Sequence, residues 1–243
     1  MWASRESLNV KLFADGADLE GMIEMASKPF ISGLTTNPTL MKKAGITNYV
    51  KFAKEVLREI TAKPISFEVF SDDIEEMKIQ GEKIASWGEN VYVKIPITNT
   101  KGESTLSVIN YLAEHETKVN ITARMTNNQV SHVMEALNPN IESCVSVFAG
   151  RIADTGRDPV PIMRDCVQTL AENKKCELIW ASPRELLNIF QANDVGCQIV
   201  TATNDILKKL DLIGYDLEAY SLDTVKMFFQ DAKNAGYSIQ NET

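Results

Sequence analysis

The sequence predicts an α/β protein: one (β/α)8 barrel of the TIM type, with an additional helix at the C-terminus. Three observations carry this expectation. Strand-like and helix-like segments alternate along the whole chain. The strand-like segments number eight. The first of them runs into Asp15-Gly16-Ala17-Asp18, without the GxGxxG turn that a doubly wound open sheet would carry. A length of 243 residues suits a single barrel domain over 1–243. The barrel occupies about 11–210 and the helical extension about 211–243.

The strand candidates are short runs rich in β-branched and apolar residues: Lys11–Asp15, Ile31–Asn37, Pro64–Phe70, Asn90–Ile97, Lys118–Ala123, Cys144–Gly150, Glu177–Ser182 and Cys197–Ala202. Between them, Leu19, Met22, Ile23 and Ala26 recur at i, i+3, i+4 and i+7. Ala53, Val56, Leu57 and Ile60 repeat that spacing, as do Met163, Cys166, Val167 and Leu170, and each set marks one apolar helical face. The final helix is expected over about Leu222–Asn234, with Gly236 as its C-terminal stop.

Composition narrows the function. Hydrophobic residues make up 44% and charged residues 24%, as in ordinary globular proteins. A net charge of −8 without a basic block argues against nucleic acid or an anionic membrane as partner. The polar start, Met1 to Asn9, has no apolar core of signal-peptide length, and no apolar run reaches membrane-spanning length. Cys144, Cys166, Cys176 and Cys197 form no CxxC pair and are expected to be reduced, buried thiols of a cytoplasmic protein. With only His115 and His132 as histidines and no His/Cys cluster, neither a metal nor a cofactor is expected.

Lys94 lies within Val91-Tyr92-Val93-Lys94-Ile95-Pro96-Ile97, a run that reads as a strand buried on both faces. Burial disfavours an ammonium, and a neutral amine is the nucleophile for a Schiff base with a carbonyl substrate. The plainer reading, a stem crossing the core with its head in water, stays open.

The other strand ends are polar too. Asp15 closes the first strand, Thr35, Thr36 and Asn37 the second, and Glu68 the third. Asn120 and Thr122 lie on the fifth, Ser146, Phe148 and Arg151 along or just after the sixth, and Ser182 with Arg184 at the seventh. Each also has an ordinary structural use. Asp15 can cap a helix, Thr36-Asn37-Pro38 can be a turn, and Glu68 can point outward. Asn120, Thr122 and Ser146 can be satisfied interior groups, and the two arginines surface ion-pair residues. Gathered at the C-terminal mouth of one barrel, where active sites of this fold lie, they would assemble acids, a lysine, amides, hydroxyls and guanidiniums.

Six motifs, in order, resemble the transaldolase family of class I aldolases, particularly its short-chain branch with the fructose-6-phosphate aldolases. They are Ala14-Asp15-Gly16-Ala17-Asp18, Gly33-Leu34-Thr35-Thr36-Asn37-Pro38-Thr39, Val93-Lys94-Ile95-Pro96 with Gly102, Asn120-Ile121-Thr122 with Gln129, Ser146 through Gly156, and Ala181-Ser182-Pro183-Arg184. The resemblance spans about Phe13 to Thr203. It implies a transaldolase of carbohydrate metabolism, of the pentose phosphate type, that moves a dihydroxyacetone unit between phosphorylated sugars. Lys94 would form the imine, Asp15 would take the proton of the hydroxyl at the cleaved bond, and Glu68 with Thr122 would activate a water. Thr36, Asn37 and Asn120 would contact substrate, and Ser146, Arg151 and Arg184 the phosphate. Phe148 and Ser182 join them on the substrate side. A homo-oligomer through the C-terminal helix is also expected.

The aldolase branch is similar to Phe-Ala-Gln-Val where this chain has Ser66-Phe67-Glu68-Val69, and it places tyrosine at Phe148. Both differences favour transfer over free release. Val147 replaces a usual proline, the segment after Ser182 is short, and Asn99 through Glu103 is unusually polar. A fructose-6-phosphate aldolase, a transaldolase for a modified sugar, and a non-catalytic sugar-phosphate-binding barrel are the alternatives.

Overall fold

The structure, a computed structural model, describes residues 4–239. Eight parallel strands close into a barrel in sequence order, β8 pairing with β1. They are β1 Lys11–Asp15, β2 Ile31–Thr35, β3 Ile65–Glu68, β4 Val91–Pro96, β5 Val119–Arg124, β6 Ser143–Val147, β7 Cys176–Ala181 and β8 Ile199–Thr203. The connecting helices are α1 Leu19–Ser27, α2 Pro38–Lys43, α3 Tyr49–Glu59, α4 Ile74–Ala85, α5 Leu106–Glu114, α6 Asn127–Met134, α7 Ala149–Asp154, α8 Pro159–Leu170, α9 Leu187–Asp194 and α10 Asn204–Leu207. Helix α11, Leu217–Asn234, follows the barrel in sequence. The expected (β/α)8 architecture with a C-terminal helix is therefore present.

The barrel unit runs from Leu8 to Lys209, and the described residues before Leu8 and from Leu210 onward form a second compact unit. In the first unit, Phe52, Ala53 and Val56 on α3 and Met163, Cys166 and Leu170 on α8 bury the apolar stripes that their spacing predicts. On α1 the buried pair is Met22 and Met25, and Ile23 faces out, so the stripe is rotated from the expected one. All four cysteines are buried and none is in a disulfide. Burial pushes the Cys144 thiol well above its ordinary range and the Cys197 thiol up to about 12.

Strands β2, β3, β4, β6 and β7 end one to three residues earlier than their composition indicates, and for β2 and β6 the reason is local. Asn37 caps α2, its Oδ1 accepting from the Leu40 N–H at 3.0 Å, and Pro38 occupies the first helical turn, so β2 stops at Thr35. Likewise Ala149 and Gly150 already belong to α7. Helix α11 begins at Leu217, five positions before its expected start, because Asp216 caps it through the Ala219 N–H. Gly236, past its end, has φ of 68°, the left-handed conformation expected of a C-terminal stop.

Inside the barrel, Phe13, Cys144, Ile179, Ala181 and Ile199 pack as one apolar cluster, with Tyr92 and Phe148 against it. Gly33 is required here: a Cβ at this position would lie 2.5 Å from the Phe13 ring. The Phe13 ring thus lies against the Gly33 backbone, its register partner on β2.

Candidate active site

Lys94 is buried, and its Nζ lies 3.2 Å from Glu68 Oε2. The register explains the pairing, because Glu68 on β3 sits directly opposite Lys94 on β4. The side chains of Lys94 and Glu68 are only 7% and 16% exposed, so the lysine head does not reach bulk water and Glu68 does not point outward. Lys94 Nζ also donates to the Thr36 carbonyl at 3.0 Å. Thr36 is itself fully buried and anchored to the Ser66 carbonyl through Oγ1 at 2.9 Å.

Asp15 does not cap α1; Asp18 does, accepting from the Gly21 N–H. That leaves the Asp15 carboxylate facing the same mouth, where it accepts from Thr35 Oγ1 at 2.8 Å. Thr35 Oγ1 in turn meets Thr201 Oγ1 on β8 at 2.5 Å. Burial pushes the Asp15 carboxyl above its usual range, opposed by the Lys94 charge and the Thr35 hydrogen bond. A cleft of about 400 Å³ opens beside Asp15 towards Lys43 and Asn204.

Thr122 Oγ1 is buried and has no hydrogen-bond partner among the described residues. It stands two positions beyond Asn120 on β5, and Asn120 is paired in register with Lys94. A buried hydroxyl is costly until a polar group meets it, a condition that Ser143 Oγ and the Trp87 and Trp180 indole nitrogens share among the described residues. Deeper in, Ser146 Oγ donates to Asn120 Oδ1 at 2.8 Å, and Asn120 Nδ2 donates to Ser66 Oγ at 3.0 Å. All three side chains are buried, so Asn120 and Ser146 form a polar belt inside the barrel.

The arginines separate. Arg151 is exposed, its guanidinium 5.4 Å from the centre of the half-buried Phe148 ring. Arg184 is committed to Asp154, gripping both carboxylate oxygens through Nε and a terminal nitrogen. Ser182, two positions before Arg184, has φ of 56°, a left-handed turn at a non-glycine residue. Gly150 allows that turn: a Cβ there would lie 1.5 Å from the Ser182 carbonyl oxygen. Asn37 uses one acceptor position of its side-chain oxygen to cap α2, which leaves its amide NH2 group and the oxygen's second lone pair for a ligand.

The structure thus gathers Asp15, Thr36, Glu68, Lys94 and Thr122 at one end, sets Asn120 and Ser146 just inside, and leaves Arg151 with Phe148 at the rim. Ser146 and Arg151 do not meet as one anion site, since the first is buried against Asn120 and the second is exposed. Thr35 stands with Thr36 and Asn37 at the polar end of the second strand in sequence, whereas Thr201 was not singled out; the register that pairs Asp15 with Thr35 and Phe13 with Thr201 turns both to the side of Asp15. The polar Asn99–Glu103 loop holds itself together: Asn99 Oδ1 accepts from the Lys101 and Glu103 N–H groups, and Thr100 bonds Asp72 through N–H and hydroxyl.

A family model described as transaldolase/fructose-6-phosphate aldolase matches residues 12–242. The chain belongs to this family. It is 33% identical over 205 residues to a probable transaldolase of Methanococcus maripaludis, covering 83% of this chain and 89% of that one. A probable transaldolase of Thermoanaerobacter is 32% identical over 232 residues, covering 95% of this chain and all of that one. Among solved structures, a protein from Coccidioides immitis described as of the dihydrodipicolinate synthase family superposes with a TM-score of 0.60 at 11% identity, covering 97% of this chain and 80% of that one. That likeness concerns the fold alone. The protein is accordingly an enzyme of the aldolase and transaldolase type. Among the described residues, no three His, Cys, Asp or Glu side chains gather as they would around a metal ion, and no helix is long and apolar enough to cross a membrane.

Proposed function

We propose that the protein is a transaldolase that carries a dihydroxyacetone unit between phosphorylated sugars on Lys94. The observation that supports this most is the buried Lys94–Glu68 pair at 3.2 Å, with Asp15 and the unpartnered Thr122 hydroxyl at the same mouth. Glu68 accepts a proton from the Lys94 ammonium, and the free amine then attacks the ketose carbonyl. Loss of the carbonyl oxygen as water gives the protonated imine, with Glu68 and Thr122 directing that water. Asp15 takes the proton of the hydroxyl on the leaving side. The C3–C4 bonding pair flows into the imine, an aldehyde departs, and an enamine stays on Lys94. Addition to an acceptor aldehyde and hydrolysis of the new imine complete the transfer.

Phosphate is assigned to Arg151, whose exposed guanidinium has no carboxylate partner among the described residues. Arg184 would first have to release Asp154. Asn120, held by Ser66 and Ser146, presents an oriented amide below the substrate. Asn37, Phe148 and Ser182 line the substrate side.

The test is reduction with borohydride in the presence of fructose 6-phosphate, followed by peptide mapping. The expected result is one adduct, at Lys94; an adduct elsewhere, or none, would reject the mechanism and favour a binding barrel. Acceptor dependence then separates transfer from aldol cleavage. Dihydroxyacetone should leave slowly without an acceptor aldehyde, and Glu68→Gln should raise that free release relative to transfer.

We also propose self-association through α11. Its support is the row Leu217, Leu222, Val225, Phe228 and Phe229, all exposed along one broad side of the helix. Sedimentation should find an oligomer that Phe228→Asp with Phe229→Asp reduces to smaller species; a monomeric unmodified protein would reject this.

A further inference from the structure

We infer that Tyr49 is a positioning residue for Glu68, acting as a substitute for the missing end of β2. The inference rests on the assignment of Glu68 as the group that takes the Lys94 proton.

The need arises from strand length. Residues of β3 alternate in which neighbour their peptide groups face. Ile65 N–H and Val69 N–H bond to Asn90 and Lys94 on the β4 side. The Pro64 and Ser66 carbonyls face β2, accepting from Leu34 N–H and Thr36 N–H. Glu68 is the next position of that second set, so its N–H and C=O also point towards β2. By then β2 has ended: its last register pair with β3 is Thr35 with Ser66, and Asn37 already caps α2. The peptide groups of the residue that holds Lys94 would be orphaned on one side.

Tyr49, the first residue of α3, fills the gap. Its hydroxyl accepts from the Glu68 N–H at 2.8 Å and donates to the Glu68 carbonyl at 2.8 Å. One hydroxyl thereby does what a strand rung would do, at a residue 19 positions away. The ring is wedged edge-on against Phe67 and Phe70, with centroids at 6.4 and 5.3 Å, and is tilted on Trp87 at 6.0 Å. The hydroxyl therefore has little freedom to follow a shift of the strand. Burial also pushes the Tyr49 hydroxyl above its ordinary range, which keeps it a donor. Clamped at both peptide groups, Glu68 can hold its carboxylate against Lys94 despite lying at a strand terminus.

The test is Tyr49→Phe, which keeps the ring and its packing and removes only the hydroxyl. The rate of borohydride-trappable imine formation at Lys94 should fall by roughly ten- to a hundred-fold, the scale set by small misplacements of a reacting group. KM for fructose 6-phosphate should change less than about three-fold, because no substrate contact is removed. The same substitution in a Glu68→Gln background should have little further effect, since the carboxylate it positions is gone. Three outcomes would overturn the inference: an unchanged trapping rate, an equal loss in both backgrounds, or a loss carried wholly by KM. If the unmodified enzyme traps no adduct at Lys94, the Schiff-base reading itself fails; trapping that Tyr49→Phe leaves untouched removes this inference alone.

Discussion

The two ends of the barrel use the same residue types to opposite effect. At the N-terminal end, Lys11 pairs with Glu177 at 2.8 Å and Lys118 with Glu142 at 3.0 Å, around a cavity of about 600 Å³. At the C-terminal end, Lys94 pairs with Glu68 at 3.2 Å. Distance does not separate them; solvent does. The Lys11–Glu177 side chains are 49% and 34% exposed and Lys118–Glu142 37% and 52%, against 7% and 16% for Lys94–Glu68. Exposed pairs of this kind contribute about 0–1 kcal/mol each. A buried pair bears desolvation costs that replacement by apolar residues would remove, so it is poor evidence of selection for stability. Tyr92 adds to the contrast: its hydroxyl donates to Glu142, and burial pushes it above its ordinary range, so it stays neutral and structural. The lysine worth interrogating is the one that water does not reach.

The sharpest way to break this contrast is Lys94→Arg. It keeps a cation beside Glu68 but cannot supply a neutral amine, so turnover and borohydride trapping should fall to background while the fold persists by circular dichroism. Retained turnover would remove Lys94 from the chemistry.

Asp15→Asn comes next. Cleavage should slow by about 10²–10⁴-fold, the usual contribution of a positioned base, while imine formation survives. The pH dependence follows from burial, which raises the Asp15 carboxyl above its usual range. As a base it must be ionised, so the acid limb of the rate should lie above the ordinary carboxylate range and disappear in the variant. Stability should move the other way. A raised carboxyl binds its proton more tightly in the folded state, a contribution fully present below the unfolded value and lost as pH rises through the folded one. The charge of Asp15 therefore costs stability at neutral pH. Asp15→Asn should raise Tm more at pH 7 than at pH 4; an equal change at both would contradict the burial argument.

At the rim, Arg151→Lys should raise KM for phosphorylated donors with little effect on unphosphorylated dihydroxyacetone donors. Losing one charge-assisted contact corresponds to roughly 1.5–3 kcal/mol. Arg184→Ala should do less, because its guanidinium is already engaged by Asp154. Equal loss for both donor types would make Arg151 structural.

The smallest effect belongs to the opposite end. Lys118→Met should leave kcat and KM unchanged and alter stability by no more than about 1 kcal/mol in denaturant titrations. A larger loss of activity would show that the two ends are coupled.

The sequence by itself determined the strand count, the barrel, the helical extension, and the presence of Lys94, Asp15, Glu68 and Thr122 among the strand-end residues. Those features reside in local periodicity, which one stretch of chain can display. Only the tertiary structure decided what each side chain meets. Asn37 is as readily a cap as a ligand group until α2 is seen to start there. Arg151 and Arg184 look equivalent until Asp154, 30 positions from Arg184, engages one of them. Ser146 reads as a mouth residue until it is found donating to Asn120. Tyr49 carries no signal, because its value depends on β2 ending one rung before Glu68. Such facts depend on register and closure, where the partners of a residue are fixed by strands and helices far away in sequence.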